Sequence, residues 1–192
     1  MKNILLFLFC FFLSLSSSAQ TTQDQAEVPE WVLIDGIKWA TRNVDAPGTF
    51  TTNPEDLGML YHWNGRIAWK DTDPTADFDC NPLWSRYNID NIWEKINDPC
   101  PSGWRVPTGA ELNSLASVAG ERTAINDVNG RIFGNDDNLL FLPSAGYGGN
   151  NGTVYYMGSP EGPWGSWVST TTSLNPRYQF HVNRFRVRCV AE

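Results

Sequence analysis

Few residues of this 192-residue chain have the types and spacing that catalysis requires. Its two histidines, His62 and His181, are far apart in sequence. His181 lies on the opposite face of its predicted strand from Phe180, which is typical of a surface or hydrogen-bonded side chain rather than of a base. No HExxH, paired CxxC, P-loop or GxSxG motif occurs. We therefore expect no catalytic residues, no metal site and no enzymatic activity.

Carboxylates are the remaining candidates for chemistry. An acidic loop carries Asp71, Asp73, Asp77 and Asp79. An EF-hand that begins at Asp71 would need Gly where Ala76 stands and Glu where Pro82 stands, so we interpret the loop as solvated and leave calcium as an alternative. The adjacent pairs at 55–56 and 136–137 would point to opposite faces of a strand, so neither sets the carboxylate separation that glycosidases use.

A binding surface is better supported than a catalytic site. Between residues 146 and 178, tyrosine and tryptophan are interspersed with glycine, asparagine, serine and threonine. Such residues combine rigid amphipathic area with adaptable hydrogen bonding, although some of the rings belong in the core, and we expect Trp167 to be buried. The residues that we predict to bind a glycan or protein ligand are Tyr147, Asn150, Asn151, Tyr155, Tyr156, Trp164 and Tyr178.

Composition narrows the classes of partner. The chain is 41% hydrophobic and 13% aromatic, which is too apolar for a disordered protein. Its net charge is −7, so it lacks the basic patch that drives binding to nucleic acid or adsorption to an anionic membrane. The length suits a single domain.

The beginning of the chain has the pattern of an export signal. Lys2 precedes an apolar run from Ile4 to Leu13, and small residues end at Ala19. We predict a signal peptide over residues 1–19, a flexible leader over 20–30 and one domain over 31–192. The run is too short to span a bilayer, so we expect an exported protein, secreted or at the outer surface or periplasm, without a transmembrane span.

One of the four cysteines, Cys10, lies in the predicted signal peptide and would be removed with it. Export would place the other three, Cys80, Cys100 and Cys189, where disulfides form. Three cysteines allow one bridge and leave one thiol. We favour Cys100–Cys189, which would close a loop of about 90 residues and stabilise the fold by about 4 kcal/mol. Cys80 would then be a buried inert thiol or, alternatively, a reactive one or a partner of another chain.

The local patterns predict an α+β fold with a mostly antiparallel sheet. A capping box at Thr108 and Glu111, with apolar residues at helical spacing, predicts a helix over about 109–119 that stops at Gly120. Asp35-Gly36 between apolar runs predicts a β-hairpin. The other predicted strands are 139–142, 154–157, 166–169, 178–182 and 185–190. We expect the last two to form a hairpin around Asn183-Arg184, each with its apolar residues on one face.

Three segments together resemble a known family. They are residues 36–44 (GIKWATRNV), residues 98–108 (DPCPSGWRVPT) followed by Glu111, and residues 185–190 (FRVRCV). They are similar to the Fibrobacter succinogenes major paralogous domain, an exported bacterial family with a C-type-lectin-like fold, and more distantly to sulfatase-modifying-factor domains. The resemblance covers residue 31 to the end. It implies a Cys100–Cys189 bridge, domain ends that lie together, and a segment from Arg105 to Glu111 that leads into a helix packed on the sheet.

The resemblance does not transfer an activity. Enzymes of the sulfatase-modifying branch use a cysteine late in the domain, and here the only late cysteine is Cys189. The calcium-binding motifs of sugar-binding lectins do not occur, and fold alone does not fix function. We therefore expect an exported, non-catalytic binding or adhesion domain. The alternatives are a carbohydrate-active or Cys80-dependent protein-modifying enzyme, and a structural subunit of a surface assembly such as a pilus tip.

Overall fold

The structure of the chain is a computed structural model. The residues that it describes are 28–70, 72, 94–118, 120–144, 165–167, 177–179 and 184–192. For 165–167 and 177–179 the description covers the backbone alone. The predicted signal peptide, the first part of the predicted leader and the predicted strand 154–157 lie outside these residues.

The described residues form short strands and one α-helix. The strands are β1 (Trp31–Ile34), β2 (Ile37–Asn43), β3 (Tyr61–His62), β4 (Trp104–Arg105), β5 (Gly120–Ile125), β6 (Val128–Asn135), β7 (Asn138–Pro143), β8 (Gly165–Trp167), β9 (Arg177–Gln179), β10 (Arg184–Phe185) and β11 (Arg188–Ala191). The helix is α1 (Gly109–Ser117), and a 3-10 turn spans Lys95–Asn97. Every strand pair in the described part of the chain is antiparallel, so the predicted α+β class with mostly antiparallel sheet is confirmed.

The central sheet joins the beginning and the end of the domain. Its strand order is β1-β2-β11-β4, with Val190 of β11 paired to Trp39 on one side and to Arg105 on the other. Neighbouring residues of β11 belong to different apolar clusters, because Val190 packs with Leu112 while Cys189 packs with Tyr61. The middle strands β2 and β11 therefore lie between two apolar cores, whereas β1 buries only the face that carries Val32 and Ile34.

The β1–β2 hairpin has the predicted position. Ile34 pairs with Ile37, and Asp35 and Gly36 between them both have positive φ, at 50° and 76°. Two positive φ values in succession define the type I′ turn, whose twist matches that of the strands. Asp and Gly tolerate this conformation better than most residues, so the local sequence fixes the turn.

Helix α1 begins as predicted and ends earlier. The Thr108 hydroxyl accepts the Glu111 amide at 3.1 Å, and the Glu111 carboxylate accepts the Thr108 amide at 2.7 Å. The helix stops at Ser117, two residues before the predicted end at about residue 119, and Gly120 is not a helix stop but the first residue of β5. A Cβ at Gly120 would lie 2.7 Å from the ring of Phe133, so glycine there permits close pairing with β6.

The hairpin of β5 and β6 was not predicted. Its turn consists of Asn126 and Asp127, both with positive φ, and no glycine marks it. β6 continues into β7 through a turn at Asp136, whose φ is 51°. The predicted strand 139–142 is confirmed within β7, which pairs with β6.

The predicted C-terminal hairpin is wrong. Residues 185–190 are divided between β10 and β11, which belong to different sheets, and Arg184 lies in β10 rather than in a turn. Within the described backbone, β9 pairs with β8, and β10 pairs with β3. Arg184, Arg186 and Arg188 are buried together with the apolar residues that alternate with them. The alternation of apolar residues and arginines in 184–189 predicted that only the apolar face is buried, but both faces of this segment are buried.

Candidate binding surface and its supporting frame

The predicted ligand-binding residues lie mostly beyond the described residues. Outside them are Tyr147, Asn150, Asn151, Tyr155, Tyr156 and Trp164. Tyr178 lies in β9, where its backbone is paired with Ser166 of β8. β8 runs beside helix α1, so this part of the predicted surface is attached to the core. The cysteine, histidine and acidic-loop residues considered in the sequence analysis also lie outside the described residues. They are Cys80, His181, Asp71, Asp73, Asp77 and Asp79.

Backbone pairing holds both boundaries of residues 145–183. Before this segment, β7 is the third strand of the β5-β6-β7 sheet, and the Ser144 amide donates to the Asn129 carbonyl at 2.6 Å. After it, Arg184 and Phe185 pair with His62 and Tyr61. Residues 145–183, here called the insertion, thus connect β7 to β10 and include the short strands β8 and β9.

A buried arginine joins the two sides of this insertion. The guanidinium of Arg188 is fully buried in β11, and its Nη2 donates to the Phe141 carbonyl of β7 at 3.1 Å. Its Nη1 donates to the Ala40 carbonyl at 3.2 Å, and its Nε donates to Asn43 Oδ1 at 2.9 Å. The rigid fork of donors suits three fixed acceptors better than a lysine would. Arg188 therefore couples β7 to the central sheet.

Asn43 extends this network to the loop that follows β2. Its Oδ1 accepts from Arg188, while its Nδ2 donates to the Leu57 carbonyl at 3.0 Å. Both sides of the amide group are thus used, which fixes its orientation. Through Asn43 and Arg188, the loop, β2, β11 and β7 are connected by buried hydrogen bonds.

A second buried arginine holds the C-terminal boundary. Arg184 Nε donates to His62 Nε2 at 3.0 Å, and the guanidinium lies 3.9 Å from the centre of the Trp69 ring. The His62 ring meets Trp69 edge-on, with centroids 6.0 Å apart. Because His62 Nε2 accepts a hydrogen bond, the proton of the neutral ring belongs on Nδ1. In this arrangement the histidine is a structural acceptor for Arg184.

The predicted disulfide is confirmed. Cys100 and Cys189 are bonded, with their Cα atoms 6.1 Å apart, and they are 89 positions apart in sequence. Next to the bridge, the Asp98 carboxylate accepts the amides of Cys100 at 2.9 Å and Val106 at 3.0 Å. Burial raises the pKa of Asp98, and these two hydrogen bonds oppose that rise. The bridge attaches residues 98–106 to the last strand, and Asp98 joins the two ends of this segment to each other.

The segment from Arg105 to Glu111 has the structural role that the resemblance implied. Arg105 donates to both carboxylate oxygens of Glu111, at 2.8 and 2.6 Å. The same carboxylate caps the helix at Thr108. The hydrogen bonds from Arg105 are the largest cause that lowers the pKa of Glu111, so the carboxylate stays ionised in mildly acidic solution. Leu112 and Leu115 of the helix pack in the same apolar cluster as Trp39 of the sheet.

Sequence reasoning missed the roles of Arg184, Arg188 and His62 in holding the two boundaries of this segment. Arg184 and His62 are 122 positions apart, and Arg188 and Asn43 are 145 apart. No local spacing signals such pairs. The alternation of Arg with Phe, Val and Cys in 184–189 predicts arginines in solvent, and only burial on both faces gives them their actual role.

Within the described ranges, no three His, Cys, Asp or Glu side chains come together in a group able to hold a metal ion. In the same part of the chain, no helix combines the length and apolarity that crossing a bilayer requires.

The chain matches no family model, no curated protein and no solved structure.

Proposed function

We propose that this protein is an exported, non-catalytic binding or adhesion domain. Its ligand surface, for a glycan or a protein, is formed by aromatic and asparagine residues between Tyr147 and Tyr178. The surface stands on a disulfide-closed frame, by which we mean the described strands and helix outside residues 145–183. We propose that this frame is of the C-type-lectin-like kind, as in the family that the sequence resembles. Export would follow from the signal peptide over residues 1–19.

The main support is the way in which the frame holds the insertion that carries these residues. Arg188 joins the strand before the insertion to the sheet, and Arg184 fixes the strand after it. The disulfide adds a covalent attachment close to Arg188. Fixed ends reduce the conformational freedom that a binding segment loses on association, so more of the contact energy appears as affinity.

The composition of the insertion is the second support. Tyrosine and tryptophan bury large area with only two rotatable side-chain bonds, while asparagine amides both donate and accept. Sugars and protein side chains stack on aromatic faces by the same physics. By contrast, the two acids of the frame whose pKa is shifted make structural hydrogen bonds. Asp98 accepts from backbone amides, and Glu111 accepts from Arg105.

The test begins with a panel of polysaccharides and bacterial surface proteins, screened with the exported, oxidised protein. Compounds that bind are then measured against the triple variant Tyr155→Ala, Tyr156→Ala and Trp164→Ala. Truncation of aromatic contacts at the centre of an interface typically costs at least 2 kcal/mol, so we expect affinity to fall by about thirtyfold or more.

The matched control changes exposed apolar residues elsewhere. Ile67 and Ile96 are 62% and 72% exposed, so Ile67→Ala with Ile96→Ala should leave both affinity and melting temperature unchanged. A triple variant that retains full affinity, with unchanged folding, would contradict the proposed site. Turnover of a panel compound that Cys80→Ser abolishes would instead favour an enzyme.

A further inference from the structure

The outer side of β1 exposes large apolar side chains. Trp31 and Leu33 alternate with the buried Val32 and Ile34, and they remain 43% and 46% exposed. Leu139, at the start of β7, is 43% exposed. Aromatic and aliphatic groups that stay accessible on neighbouring elements are typical of surfaces that bind another molecule.

The tip of the β6–β7 hairpin lies directly against β1. Asn138 Oδ1 accepts the Leu33 amide at 3.2 Å, and a Cβ at Gly134 would lie 2.5 Å from Cδ1 of Ile34. The tip and the strand thus form one continuous surface, here called the β1 surface, which comprises Trp31, Leu33 and residues 136–139. Since Asn138 occupies an amide on the free edge of β1, a partner would dock on side chains rather than add a strand.

Acidic residues surround the apolar side chains. The exposed acids are Glu30 and Asp35 at the two ends of β1, and Asp136 and Asp137 at the hairpin tip. Lys38 of β2, which pairs with Leu33, is a basic residue beside this surface, and its Nζ lies 4.5 Å from the centre of the Trp31 ring. Four carboxylates against one ammonium give these residues a net charge of −3.

We propose that the β1 surface docks a basic, apolar segment of another protein. Trp31 and Leu33 would contact its aliphatic side chains, while the four carboxylates would attract its lysines or arginines and set its orientation. A symmetric pairing of two copies of this chain would bring like charges together, which disfavours self-association through this face. The proposal concerns residues separate from 147–178, so it stands or fails independently of the proposed function.

The test uses two synthetic probes and the exported, oxidised protein. One hexapeptide alternates leucine with lysine, and the other alternates leucine with glutamate. We expect the basic peptide to bind and the acidic one not to bind, and the affinity to weaken as salt concentration rises. Trp31→Ser with Leu33→Thr should lower affinity for the basic peptide at least about tenfold. Ile96→Ser, an apolar-to-polar change elsewhere, should not.

Two variants with equal changes in net charge separate local from global electrostatics. Asp136→Asn with Asp137→Asn should weaken binding several-fold, whereas Glu94→Gln with Asp127→Asn should have little effect. Both of these acids are exposed; Asp127 lies at the opposite end of β6 from the β6–β7 tip, and Glu94 adjoins Lys95, whose salt bridge to Glu192 places it near the β4 edge of the central sheet. Equal effects of the two pairs, equal binding of both peptides, or no binding of the basic peptide would overturn the proposal. Self-association that Trp31→Ser abolishes would assign the surface to a second copy and would also overturn it.

Discussion

Replacing Arg188 should lower the free energy of unfolding substantially, although Arg188 is only one residue of a four-residue strand. The perturbation is Arg188→Met, which keeps most of the side-chain volume and removes all donors. In the folded protein the guanidinium is fully buried and serves Phe141, Ala40 and Asn43. The variant leaves these three acceptors without their donor in a place from which water is excluded.

The magnitude follows from those three bonds. A buried acceptor left unsatisfied costs about 1–3 kcal/mol. Removing the guanidinium also removes the desolvation penalty of a buried charge, which offsets part of this loss of stability. We take about 1.5 kcal/mol for each acceptor, which gives a loss of about 4 kcal/mol in the free energy of unfolding. For a domain of this size, that corresponds to a fall of about 10 °C in Tm. Arg188→Lys should lose about half as much, because a single ammonium does not reach all three acceptors.

The assay is urea unfolding of the oxidised protein, followed by tryptophan fluorescence, with a thermal melt as a second measurement. Arg122→Met is the control, because Arg122 is exposed and lies opposite Arg131 in the β5–β6 pair. It should not destabilise the protein. A loss below about 1 kcal/mol for Arg188→Met would refute the role of Arg188 as the connection between β7 and the central sheet.

Three further predictions follow from the frame. Cys100→Ala with Cys189→Ala should cost about 4 kcal/mol of unfolding free energy, because an 89-position cross-link limits the unfolded chain. Glu111→Gln should cost about 1 kcal/mol at neutral pH and little in strong acid. The pKa of Glu111 is lowered in the folded state, so its contribution is complete above about pH 4.3 and is lost as the pH falls through the lowered value. Gly134→Ala should cost at least about 2 kcal/mol, because its φ is 97° and a Cβ would lie 2.0 Å from the Asn138 carbonyl oxygen.

Each of these predictions has a measurement that could contradict it. Comparable unfolding curves of the oxidised and the cysteine-free proteins would show that the bridge does not stabilise the frame. For Glu111→Gln, a stability difference from the wild type that grows on acidification would reverse the sign expected from the lowered pKa. For Gly134, the control is Gly36→Ala, whose φ is also positive but where no atom lies within 4 Å of a Cβ. Equal losses at the two glycines would mean that backbone strain, rather than contact with Asn138, causes the effect.

Local signals predicted the local parts of the fold. The capping box at Thr108 and the turn at Asp35-Gly36 act over four residues or fewer, so their sequences nearly determine their conformations. The helix end was harder to place, because Gly120 has the residue type of a helix stop but is required by contact with Phe133. The β5–β6 hairpin gave little signal, since four of the six residues of β5 are exposed and do not alternate.

Long-range features could not be predicted from one sequence. Whether Arg188 faces solvent or a carbonyl depends on which elements cover the second face of β11, and no spacing within 184–190 contains that information. The disulfide was an exception, because three cysteines leave few pairings and the family resemblance favoured one of them. The ligand-binding residues at 147–178 stay a prediction based on composition.

The most direct test of the account is hydrogen–deuterium exchange of the oxidised protein, measured by mass spectrometry with and without a compound from the binding panel. The account predicts that slowed exchange is concentrated in peptides that cover 147–178, with little change in β5, β6 and the β1–β2 hairpin. Slowed exchange confined to those frame elements, with 147–178 unchanged, would contradict it.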